Sequence, residues 1–223
     1  MQMRNPIPSA WRIPLRLIGL SLLPFMSSAS RLISIGNQDA AQDPNVARFD
    51  GSWEILVVHI LCGSLFLLLA AVQFSPELWA SYRAWHRTAG KVAMVAGVIA
   101  GASGMWLILA YPRGELATLT LDIVRVGFAA ALVVSIIAAV AAIRRSDVVR
   151  HRAWMIRAFA LAVSGSTQAL VIGIWLGAIG PLTPQSATSL ITIGFAINIA
   201  FAEWWIHALS TSPRIFNPQR KTS

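Results

Sequence analysis

The chain has 223 residues, 56% hydrophobic and only 12% charged, with a mean hydropathy of +0.64 and a formal net charge of +9. A soluble domain carries about 25% charged residues, so a water-facing globule is excluded. The single cysteine, Cys62, excludes an internal disulfide and any multi-cysteine metal or iron–sulfur centre. Basic residues flank apolar runs instead of forming a stripe, which argues for a topology signal and against nucleic acid as a partner.

Six apolar segments follow one another, at 15–35, 53–74, 91–111, 122–143, 154–179 and 187–209. Their lengths lie near the roughly 20 residues that span hydrocarbon. Lipid offers the backbone no hydrogen bonds, so such runs form helices or a closed barrel. A barrel would alternate apolar and polar residues, whereas 55–72 and 126–143 are apolar on every side. The predicted fold class is therefore all-α, an integral membrane bundle of about six transmembrane helices. Linkers carry turn chemistry: Pro44 and aspartates in 37–52, Ser75-Pro76, Pro112-Arg113-Gly114, and Gly180-Pro181 through Pro184. Three regions are expected: an N-terminal helix and outer loop over 1–52, a five-helix domain over 53–209, and a basic tail over 210–223.

The first segment has a second reading. Arg4, Arg12 and Arg16, a short apolar stretch and the small residues of 27–30 also resemble a signal peptide. Cleavage would leave five helices; Arg31 and the lack of a clean A-x-A site favour a retained helix. Orientation follows from lysine and arginine placement. Arg4, Arg12, Arg16, Arg83, Arg87, Lys91, Arg144, Arg145, Arg150, Arg152, Arg157, Arg214, Arg220 and Lys221 fall on one side, against Arg31, Arg48, Arg113 and Arg125 on the other. Both termini are expected in the cytoplasm of a bacterial inner membrane, with the basic face against anionic lipid headgroups. Trp53, Trp106, Trp154, Trp175, Trp204 and Trp205 lie near segment ends, as an aromatic belt requires.

Segments two and three form one hairpin and segments four and five another, each with a His-Arg pair at its basic turn, His86-Arg87 and His151-Arg152. Duplication and chance both account for so short a match. Ionisable residues inside spans usually face the bundle interior, which singles out His59, Arg125 and Glu203, with Gln73, Gln168 and Asn198 as uncharged companions. Two imidazoles on facing helices can hold haem b axially. His86 and His151 are the candidate ligands, with Arg87 and Arg152 for the propionates, in a redox component whose partner is unknown. The plainer reading makes these histidines interface residues touching lipid phosphates, since they fall at or before the predicted helix starts. His86, His151, His207 and Glu203 form a weaker zinc set for a hydrolase; Glu203 and His207 are four apart and can pair. A third reading is a carrier whose polar path holds Arg125, Glu203, Gln168 and Asn198; hydrogen bonding between helices explains the two amides equally well.

Several stretches also resemble a known bacterial family. These are His59 and Gly63 in H-x-x-x-G, Gln73-Phe74, the segment from His86-Arg87 to Gly90-Lys91-Val92, and Arg144-Arg145-Ser146-Asp147. His151-Arg152-Ala153-Trp154-Met155-Ile156-Arg157 and Asn198 with Ala202-Glu203-Trp204 complete the set. Over about 53–206 the chain is similar to the domain of unknown function 2306 family of predicted membrane proteins. Two positions depart from it: Ala71-Val72 replaces a Gly-Pro, and an arginine expected near Gln168 is absent. The resemblance implies a polytopic helical architecture and carries no activity with it.

Overall fold

Two prolines shape the first apolar segment. The computed structural model describes residues 9–37, 44–49 and 53–211, which are helical with no strand among them. Helix α1 (Ser9–Leu20) contains Pro14, and α2 (Leu22–Gly36) follows at a 50° bend. Pro24 has no N–H and its ring opposes the carbonyl four residues back, that of Leu20. The Ser166 hydroxyl donates to that freed carbonyl, and buried Ser21 donates to Leu17 O at 2.9 Å. The first apolar segment is thus bent rather than one straight helix.

After the short α3 (Pro44–Ala47), five helices are long and apolar enough to cross a membrane, or six with the bent pair. They are α4 (Trp53–Gln73), α6 (Arg83–Leu109), α7 (Leu119–Arg144), α8 (Val148–Ala178) and α9 (Pro184–Thr211). The six-residue α5 (Pro76–Ser81) joins α4 to α6. The chain is a helical membrane bundle in contact with lipid. Four of these helices start earlier than hydropathy predicts, most of all α6, at Arg83 instead of 91, and α8, at Val148 instead of 154. Hydropathy registers where lipid ends, but helices end where backbone chemistry stops them. Arginine is a good helix former, so α6 and α8 run on through their charged ends. The α7–α8 turn closes at Ser146, whose φ of 59° is left-handed, and Asp147 caps α8 by accepting from Arg150 N at 2.9 Å. Thr118 caps α7 in the same way, accepting from Leu121 N at 3.0 Å.

Consecutive spans run antiparallel. Helix α4 packs on α6, α6 on α7, α7 on α8, and α8 back on α4, while α9 lies outside against α8. These four make a ring with α6 and α8 at opposite corners. Its core joins Phe66, Leu67, Ala93, Ala96, Leu132, Ile136, Ala158 and Phe159. Small residues on α6 let its neighbours close in. A Cβ on Gly97 would stand 2.6 Å from Ile136 Cδ1 and 2.7 Å from Phe66 Cδ2, so only glycine lets α4 and α7 meet α6 there.

Candidate functional site

Gln73 ends α4, His86 lies in the first turns of α6, and His151 in the first turn of α8. All three therefore sit at one end of the four-helix ring. The early helix starts correct the expectation that these histidines lie at or before the helix starts: they belong to regular helix on opposite corners of the ring. The Nδ1 atom of His151 lies 2.9 Å from Ala139 O on α7. Only a protonated nitrogen can donate to a carbonyl, so a neutral His151 keeps its lone pair on Nε2. Asp147, one turn earlier, fixes the start of the helix that carries it.

Three polar atoms at this end are buried and lack a hydrogen-bond partner: His86 Nδ1, Gln73 Nε2 and Gln73 Oε1. Gln73 Oε1 lies over Gly90, where a Cβ would be 3.8 Å away. His86 is one turn before Gly90 on the same helix face, so glutamine and imidazole address the same interior region. A buried amide without partners costs about 1–3 kcal/mol. Arg87 beside His86 is exposed, and Arg152 beside His151 is half-buried.

The other sequence candidates go elsewhere. Glu203 does not pair with His207. Its carboxylate accepts two bonds from Arg157, at 2.6 and 2.8 Å, and the guanidinium also lies over the Trp154 ring. The reason is geometric: a planar guanidinium offers two parallel donors to one carboxylate. Arg157 was legible only as one more basic residue, although the motif beginning at His151 ends on it. Among the described residues, no three His, Cys, Asp or Glu side chains group closely enough to hold a metal ion. The set of His86, His151, His207 and Glu203 is therefore not assembled.

Asn198 bonds Thr167 across the α8–α9 interface, Nδ2 donating to Oγ1 at 2.9 Å. Gln168 packs at the same interface, where a Cβ on Gly194 would lie 2.6 Å from its Cγ. Asn198 thus bonds across this helix interface, while Gln168 packs into it.

At the opposite end of the ring, His59 Nδ1 lies 2.9 Å from Ala100 O and 3.3 Å from Ser103 Oγ, with its ring against Gly104. Arg125, four residues after buried Leu121, occupies the inner side of α7 at that end. Arg113 pairs with Asp122 at 2.5 Å.

No curated protein and no solved structure matches the chain. Residues 56–206 match the family described as predicted membrane protein, domain of unknown function 2306, and the chain belongs to that family.

Proposed function

We propose that the His-Arg end of the ring holds one b-type haem between His86 and His151, making the protein a membrane redox component. The observation that carries this reading is the placement of two imidazoles at the same end of a four-helix ring, on opposite corners. Two features suit them to the group. The Nδ1 of His151 rests on the Ala139 carbonyl, the contact that orients a metal-binding imidazole and leaves Nε2 to bind. His86 keeps a buried ring nitrogen without a partner. Arg87 and Arg152 are the neighbouring cations for the propionates. Bound haem supplies one-electron transfer. The chain's part is to fix both rings, keep water from the iron's surroundings and, through Gln73, present an amide to the same interior.

The test is the visible spectrum of protein purified in mild detergent after haem-replete expression. A Soret band that shifts on reduction, and is lost in both His86→Ala and His151→Ala, is the expected result. Haem-free protein after such expression overturns the reading.

The lysine and arginine distribution supports cytoplasmic termini in a bacterial inner membrane, with the His-Arg end inside and against anionic lipid. The bond from Ser166 to Leu20 ties the first segment to α8 and supports its retention. A fluorescent-protein fusion at the C-terminus should glow, and a periplasmic phosphatase fused there should stay inactive; the reverse pattern inverts the topology.

A further inference from the structure

The four basic residues at the end opposite the histidines are not spread over it. Arg48 Nη1 donates to Pro112 O at 3.2 Å, and its guanidinium lies 4.2 Å from the centre of the Phe49 ring. That reach brings it to the α6–α7 loop, beside Arg113 and the start of α7. Leu32 and Ile35, which follow Arg31 on α2, pack on the cluster of Val46 and Phe49 that flanks Arg48, and Arg125 comes one turn after Asp122, the partner of Arg113. Three guanidinium groups, from α2, the segment after α3, and α7, thus gather at one end of the ring. Of the described acids at this end, Asp122 is already bonded to Arg113. Glu54 and Glu115, the other described acids at this end, form no ion pair.

Arg125 makes the cluster costly. It lies six residues into α7, roughly 9 Å along the axis at 1.5 Å per residue. A 26-residue helix is roughly 39 Å long against about 30 Å of hydrocarbon. Centred in the bilayer, it would hold Arg125 just inside the hydrocarbon boundary, where arginines normally pair. The carboxylate one turn before it, Asp122, is instead taken by Arg113. The wall beside Arg48 is apolar: Val46, Phe49, Leu56, Ile60 and Leu107 form a buried cluster with Tyr111 packed on it. Burial and the neighbouring Arg31 pull the Arg48 guanidinium below its usual pKa, with Asp122 pulling back. Like charges held against a low-dielectric wall are stable when an anion sits among them.

We infer that Arg31, Arg48 and Arg125 form an oxyanion site that takes a phosphate-type group at the face opposite the histidines. Guanidinium forks match phosphate oxygens pairwise. Two sources offer that chemistry, the headgroup of an anionic lipid and free phosphate.

The full chain in detergent would be titrated with inorganic phosphate, and in phosphatidylcholine nanodiscs with and without phosphatidylglycerol, reading the thermal unfolding midpoint. Saturable stabilisation is expected from at least one probe. Phosphate acting alone identifies a soluble ligand; phosphatidylglycerol acting alone identifies a headgroup. Arg48→Gln and Arg125→Gln should weaken the effect roughly tenfold to a hundredfold, the worth of one charge-assisted hydrogen bond. Arg113→Gln, outside the trio, should leave it intact. If Arg125→Gln fails to fold, Arg48→Gln decides alone, because Arg48 lies outside the spans. No stabilisation by either probe, or equal stabilisation of wild type and Arg48→Gln, overturns the site. So does binding that appears only after Asp39, Asp43 and Asp50, which lie outside the described residues, are changed together to asparagine: the chain would then supply its own anion.

Discussion

The two ends of the four-helix ring each hold a histidine on the inner side of a spanning helix, and they treat it differently. His59 is bonded to Ala100 O, touches Ser103 Oγ and packs against Gly104. His86 keeps a buried nitrogen without a partner, next to a glutamine in the same condition. A membrane interior penalises unsatisfied polar groups. The bonded histidine thus belongs to the scaffold, and the unpartnered one is where the proposed group would bind. Chemical identity does not separate the two residues; the neighbours do.

The largest expected difference between the two ends is spectroscopic. His86→Ala should abolish the haem spectrum altogether, while His59→Ala leaves it unchanged. The opposite pattern would move the redox site to the other end. The next largest effect lies at the waist, which serves both ends. Gly97→Val forces side-chain atoms into Phe66 and Ile136 and should destabilise the bundle by about 1–3 kcal/mol. A lowered unfolding midpoint with loss of both spectrum and anion response is expected; selective loss at one end would show that the ends are mechanically separate.

A smaller cost attaches to the satisfied histidine. His59→Ala removes one interhelical hydrogen bond and should cost about 1–2 kcal/mol, visible in the unfolding midpoint alone. Smallest is Asp147→Ala, which deletes the N-cap of α8 for about 1 kcal/mol. Because His151 lies one turn beyond that cap, the variant should keep its Soret band. A band lost for so small a stability change would mean that the cap positions the imidazole.

The five spans were legible in the sequence because lipid makes apolar length a direct signal. Their ends were not. Hydropathy halts at the charged turns, whereas the helices carrying Arg83, Arg87 and Arg152 run through them, which changed His86 and His151 from loop residues into helix residues. The bend in the first segment was unread although Pro24 announces it, since its partner, Ser166, lies in another helix. Pairings across helices were least legible. Spacing suggested Glu203 with His207, but tertiary packing supplied Arg157, a better donor from α8. The proposed grouping of Arg31, Arg48 and Arg125 was hidden for the same reason: counting charges by side says nothing about which loops and helices bring them together.

The bend in the first segment has a consequence for the membrane itself. Twelve residues of α1 and 15 of α2 give pieces roughly 18 and 22 Å long, each shorter than the hydrocarbon layer. If the segment crosses, it does so only as the crooked pair. A thicker bilayer would then have to stretch that elbow against the ring of Pro24, or else thin around it, and α8, pinned to Leu20, is the helix that would feel the change.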